Sequence, residues 1–168
     1  MKIGILGGSF DPAHKGHLAI SKEAKKRFKL EKIIWAVTKK NPLKAESKTP
    51  ISKKIKDCKK IIGMNSFIKV KFYENIIKSN KTIDLINYLQ KNKNIEIFFL
   101  MGADNLINFH KWHKSKLISQ KCNIIVFDRH GYKKNSLKSK TFKSLNNKTL
   151  TFVEFKKVNI SSSQLRKI

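Results

Sequence analysis

The spacing of apolar and polar positions divides the chain into short apolar runs and longer amphipathic segments. Lys2–Leu6 reads as a short buried strand ended by Gly7-Gly8, and a helical pattern begins near Gly16 and runs to about Phe28. Ile33–Val37 reads as a second strand, followed by a polar loop, Thr38–Lys48, with Pro42 inside it. Thr49-Pro50 has the form of a helix start, Thr as cap and Pro in the first turn. Ile51, Ile55, Cys58 and Ile62 follow at three- and four-residue spacing and define one apolar face. Phe67–Phe72 is a candidate third strand, Thr82–Gln90 a helix and Ile95–Met101 a strongly hydrophobic strand. Asp104–Ile118 reads as helical, in one or two pieces, and Ile124–Phe127 as a further strand. The basic, polar stretch 129–147 is expected to be a mobile loop with some local helix. Leu150–Phe155 reads as the last strand, and Ser161–Ile168 as the start of a helix.

Strands alternating with helices predict βαβ units: an α/β domain with an open, mainly parallel sheet and helices on both faces. Ligands of such sheets bind beyond the carboxyl ends of the strands, where the strand order reverses. Polar clusters follow Leu6, Val37, Met101 and Phe127, all at predicted strand ends. The 168 residues fit one domain, 1–168, with no internal repeat and no dividing linker.

Composition adds one unusual feature. Lys and Arg total 38 against 11 Asp and Glu, a formal charge of +27. Such a field favours anionic partners, whether nucleotides, nucleic acid or acidic lipid, without choosing among them. Much of the excess is lysine spread along a chain also rich in Ile and Asn, so it weighs little as a functional signal. Cys58 and Cys122 form no C-x-x-C pair and read as buried thiols of a reducing compartment. No apolar run approaches the ~18 residues of a membrane span, and the apolar start is too short for a signal peptide. A cytoplasmic location is the expectation.

The sharpest chemical signal is GGSFDPAHKGH, Gly7 to His17. Two glycines after a strand allow close backbone approach to a ligand. A helix that begins next aims its unpaired N–H groups at the same place, a seat for phosphate. His14 and His17, three residues apart, then share one face of its first turn and can donate to phosphate oxygens. The dinucleotide fingerprint and the P-loop ending are both absent. A tight turn with incidental histidines is one alternative. A zinc site pairing His14 and His17 with His110 and His113 is another. Imidazole at a helix N-terminus beside glycines suits an anion better than either.

This segment resembles the G-x-F-D-P-x-H-x-G-H signature of the HIGH-type nucleotidyltransferase superfamily. ISSSQLR, Ile160 to Arg166, resembles its second signature, I-S-S-T-x-I-R, with Ser163 for Thr and Leu165 for Ile. MGADNLINFHKWHKS, from Met101, is similar to the pattern of nicotinate-nucleotide adenylyltransferases, in which G-A-D-N-L is followed by F-H-x-W. The resemblance covers almost the whole chain and implies a Rossmann-like fold.

It implies that Gly7, Gly8, His14 and His17 hold the ATP phosphates, with Gly16 beside them. Ser9 and Phe10 match positions that touch the reacting phosphate and the pyridine mononucleotide. NPLK, Asn41 to Lys44, resembles a P-P-H-K loop with Leu43 in place of histidine, and Lys44 would reach a phosphate. KTIDLINYL resembles T-x-D-T-L near the mononucleotide: Thr82 and Asp84 match, and Leu85 replaces a threonine. Gly102 and Asp104 match the glycine and aspartate after the fourth strand, on the ATP side. Trp112 matches the tryptophan that stacks on the nicotinate ring. Arg129 and Gly131 match R-P-G, with His130 for proline. Ser162, Ser163 and Arg166 would close over the phosphates. Family members run some tens of residues past the second signature, whereas this chain ends two residues after Arg166, so a shortened terminus is expected.

The implied reaction joins ATP and nicotinate mononucleotide, with Mg²⁺ as the ATP counterion and no protein metal site. His14, His17, Lys44 and Arg166 would carry the catalysis. Two other readings on this scaffold remain at this point: a sister enzyme acting on phosphopantetheine, and an inactive remnant. A basic nucleic-acid-binding protein on the same scaffold is the reading from a different class.

Overall fold

The computed structural model describes residues 1–39, 48–128 and 150–154. Among these residues six strands form one sheet in the order β3-β2-β1-β4-β5-β6, every neighbouring pair parallel. They are β1 (Lys2–Gly8), β2 (Lys32–Val37), β3 (Ile68–Lys71), β4 (Glu96–Gly102), β5 (Asn123–Asp128) and β6 (Leu150–Glu154). The chain builds outward from β1 in one direction, then returns and builds outward from β4 in the other. The order therefore reverses between β1 and β4, the arrangement of a Rossmann-like sheet.

Period-two alternation sorts each strand between two cores. Leu6, Trp35, Leu100 and Phe127 point to the face covered by α1 (Lys15–Phe28) and α2 (Ile51–Ile62). Ile5, Ala36, Phe99 and Val126 point to the other face. There they meet α4 (Thr82–Leu89), α5 (Ala103–Leu106) and α6 (Ser115–Lys121). Burial on both faces explains the near-continuous apolar runs of β1, β4 and β5. Trp35 is fully buried, and its indole N–H donates to Ser21 Oγ at 2.9 Å. A ring of that size stabilises the core only because its polar atom is paired.

Several elements depart from the expected boundaries. Gly7 and Gly8 do not end the first strand; they continue it, paired with Ala36 and Val37. The turn comes afterwards, at Phe10, which takes a positive φ of 48°. Thr49 does not cap α2. Pro50 occupies the cap position without a side-chain bond, and Thr49 Oγ1 instead donates to Asp11 Oδ1 at 2.7 Å. The Asp104–Ile118 region is three short pieces rather than one or two: α5, a 3₁₀ turn at Phe109–Lys111, and α6. Trp112 is extended and Lys114 is left-handed, so no helix can run through them. A four-residue helix, α3 (Glu74–Ile77), is too short to announce itself by periodicity. The third strand shrinks to Ile68–Lys71, an edge strand whose Lys69 and Lys71 face solvent. The last strand is described over Leu150–Glu154, and Phe155 lies outside the described residues. The expected elements within 129–147 and 161–168 lie outside the described residues. Among the described residues no helix is long and apolar enough to cross a membrane.

Both cysteines are buried, Cys58 on the α2 face and Cys122 before β5. Burial pushes each thiol up to about 12; for Cys58 the Asp57 carboxylate adds to the rise and Lys54 opposes it. Neither thiol should react with iodoacetamide at about pH 8 in the folded protein, and both should react on unfolding. A raised folded-state value means that stability is complete below the thiols' ordinary value of 9.0 and declines as pH climbs toward about 12. Mass-spectrometric counting of alkylated sites and denaturant titrations across that range check both statements.

Candidate active site

The carboxyl end of β1 sits beside the reversal of strand order, and two structures meet there. On one side is the start of α1. His14, extended at φ −150°, ψ 173°, is its N-cap, and its Nδ1 accepts the Gly16 N–H at 3.0 Å. His17, in the first turn, returns the arrangement: its Nδ1 accepts the His14 N–H at 3.1 Å. This is a capping box with imidazoles where Ser or Thr and Glu usually stand. Because each Nδ1 accepts, the ring proton of each neutral imidazole lies on Nε2. The first turn carries no acidic side chain, so the positive end of the helix is not neutralised there.

The rings are held from behind. The His14 and His17 centroids lie 3.9 Å apart, and Phe10 packs 4.6 Å from His17 and stacks 5.2 Å from Trp35. Ser21 Oγ, which accepts from Trp35, donates to the His17 carbonyl at 2.8 Å. Phe10 is itself a core residue, 2% exposed, so its ring supports the imidazoles rather than facing solvent. Ser9 is half-buried and Gly16 is buried.

On the other side is a cavity open to solvent. Its apolar wall includes Ile5, Phe99, Met101 and Trp112, and Gly7 and Gly8 contribute the β1 edge. Both glycines are free of left-handed strain, and a methyl group would meet the Phe99 ring at 3.7 Å at Gly7, and the Phe10 ring at 3.6–3.7 Å and its backbone nitrogen at 3.9 Å at Gly8. Their use is at the cavity surface, where no side chain projects. Trp112 is held edge-on to Phe99 and Phe109, at 5.9 and 5.1 Å. Polar groups enter from Glu74, Ser79, Thr82 and Asn105.

The structure thus brings together Gly7, Gly8, His14 and His17 at one strand end, with Thr82 and Trp112 in the adjoining cavity. Asp84 is outside the cavity lining. It accepts from Ser79 Oγ at 2.5 Å, and Ser79 Oγ accepts the Lys81 N–H at 3.0 Å, so Asp84 shapes the turn that Ser79 presents. Gly102 is buried at the end of β4 and caps α5, while Asp104 is exposed beside it and not in the cavity. Lys44, Arg129, Ser162, Ser163 and Arg166 lie outside the described residues, as do Asn41, Pro42, Leu43, His130 and Gly131. His110 and His113 do not join the other pair: among the described residues no three His, Cys, Asp or Glu side chains gather as metal ligands.

Thr38, Glu74 and Asn105 were not among the expected site residues. Thr38 stands directly after β2, at a strand end already marked as polar, and Glu74 is the single carboxylate between Lys69 and Lys81.

The chain matches the family model described as cytidylyltransferase-like over residues 5–168. It is 68% identical over 167 residues to the "Probable nicotinate-nucleotide adenylyltransferase" of Pelagibacter ubique (strain HTCC1062), covering 99% of this chain and 93% of the relative. The chain belongs to the nicotinate-nucleotide adenylyltransferase family. A relative of the same name in Bradyrhizobium sp. (strain ORS 278) is 37% identical over 130 residues, 77% of this chain and 68% of that one. Among solved structures, the fold matches Plasmodium falciparum nicotinic acid mononucleotide adenylyltransferase complexed with NaAD at a TM-score of 0.82. That match has 21% identity and covers 99% of this chain and 82% of that chain. Members of this family are enzymes, and the imidazole pair lies within the first signature segment, Gly7 to His17.

The double role of His17 can be separated. His17→Ala removes an acceptor from the capping box and should cost about 1 kcal/mol. His17→Gln keeps an acceptor at a position where Gln commonly completes a capping box, and should recover most of that loss. Urea unfolding of the three proteins measures the difference.

Proposed function

We propose that this chain transfers the adenylyl group of ATP to the 5′-phosphate of nicotinate mononucleotide, yielding deamido-NAD and pyrophosphate. The observation that carries the reading is the pair of imidazoles capping α1 through Nδ1, at a first turn without acidic side chains, one strand end away from an aromatic-walled cavity. The family membership supports the choice of nucleotides.

In this reading the mononucleotide lies in the cavity with its ring on Trp112. Thr82 and the Ser79 turn contribute polar contacts. The triphosphate lies over the start of α1. A phosphate oxygen of the mononucleotide attacks the α-phosphorus of ATP, the bond to the bridging oxygen breaks, and pyrophosphate leaves with the electron pair. The attacking phosphate is already ionised near neutral pH, so no strong general base is required. Catalysis rests on position and on charge placed against the transition state. His14 and His17 donate to phosphate oxygens through Nε2. The resemblance assigns further cationic and hydrogen-bonding contacts to Lys44, Arg129, Ser162, Ser163 and Arg166. Mg²⁺ enters with ATP, and phosphate oxygens and water are its expected ligands. When bound it neutralises phosphate charge. Selection of the acid over the amide calls for N–H donors and positive charge near the ring, since both rings stack alike on Trp112.

Pyrophosphate release from ATP and Mg²⁺, measured with nicotinate mononucleotide, its amide and phosphopantetheine, tests the reading. Release is expected with nicotinate mononucleotide. Release with phosphopantetheine alone would move the acceptor, and silence with all three from a folded sample would overturn the enzyme assignment. In the same assay His17→Ala should lower kcat by roughly 10²–10³ while changing KM for ATP little, as for loss of a donor to the transition state.

A further inference from the structure

Thr38, the first residue past β2, is tied in three directions. Its N–H donates to the Gly8 carbonyl at the end of β1, 3.0 Å away. Its hydroxyl donates to Glu74 Oε1, which also accepts the Lys39 N–H at 3.3 Å. Its carbonyl accepts from Lys54 Nζ at 3.1 Å. Glu74 belongs to α3 and Lys54 to α2, which packs on the opposite face of the sheet. One residue at the cavity rim therefore joins the glycine strand end to helices from both faces. Gly8, Thr38 and Glu74 line the cavity, whereas Lys54 does not.

Lys54 is the unusual member. It is 1% exposed, while Lys53, Lys56, Lys59 and Lys60 of the same helix are exposed. It occupies the apolar face, three residues after Ile51 and four before Cys58. Burying an ammonium is costly, and a well-packed apolar side chain in such a place commonly gives equal or better stability. With its ammonium 3.1 Å from the Thr38 carbonyl, Lys54 ties α2 to the end of β2.

We propose that Lys54 is a positioning residue: by holding the Thr38 carbonyl it fixes the rim formed by Gly8, Thr38 and Glu74, and so the placement of the mononucleotide in the cavity. The rim is an observation of the structure, and the link to the mononucleotide rests on the adenylyl-transfer reading. A rim held on three sides is preorganised, and a small misplacement there lowers reaction rate without unfolding anything.

The test is Lys54→Met, with Lys54→Arg as the conservative variant, read in two ways. In steady-state kinetics, K54M should lower kcat/KM for nicotinate mononucleotide about tenfold or more. KM for ATP should change less than about twofold, and K54R should recover most of the loss. In amide hydrogen exchange, K54M should speed exchange at Thr38 and Lys39 about tenfold or more while Ile34, in mid-strand, keeps its protection. If K54M does not fold, K54Q, a shorter neutral donor, carries the same two measurements. Unchanged exchange at Thr38 and Lys39, or an equal loss of protection along all of β2, overturns the proposal. So does a folded K54M that keeps wild-type constants. A wild-type protein that releases no pyrophosphate sinks the adenylyl-transfer reading instead, and the exchange result still decides whether Lys54 holds the rim.

Discussion

The start of α1 is held by an exchange of hydrogen bonds between two histidines and the backbone, and the rest of the site is arranged around it. Serine and glutamate would cap the helix as well. Imidazole satisfies the same N–H groups and still carries a second nitrogen. On the adenylyl-transfer reading, that nitrogen is the one an incoming phosphate meets. Capping the helix through the two Nδ1 atoms therefore also fixes where the two Nε2 atoms point, so the same pair of rings serves the helix start and, on the adenylyl-transfer reading, the chemistry. Phe10, Trp35 and Ser21 make the arrangement rigid from the core side.

The sheet decides where this arrangement is useful. Reversal of strand order at β1 and β4 leaves a gap in the helical cover above their carboxyl ends. The imidazole pair stands on one flank of the gap and the cavity with Trp112 on the other. Gly7 and Gly8 run between them as bare backbone. Thr38 closes the near edge by joining β1 to helices of both faces.

Much of this was legible before any coordinates. The cores alternate along each strand as period-two patterning requires, so Leu6 and Ile5, or Phe99 and Leu100, part company predictably. The histidines, the glycines, Thr82 and Trp112 could be named because local spacing and a familiar signature point to them. What escaped was non-local or very short. The four residues of α3 hold too few apolar positions to show a period. Thr49 looked like a cap, but its hydroxyl found Asp11, distant in sequence and near in space. Lys54 resembled its lysine neighbours, and its one distinguishing mark was a place on the apolar stripe of α2.

An imidazole accepts at Nδ1 only while that nitrogen keeps its lone pair. Adding a proton there sets N–H against N–H at both capping contacts, and it sets two charged rings 3.9 Å apart against each other. A proton at either Nδ1 is therefore incompatible with the capping exchange at the helix start. Within that exchange each ring takes part as an acceptor, so its share in the helix start is that of an uncharged side chain.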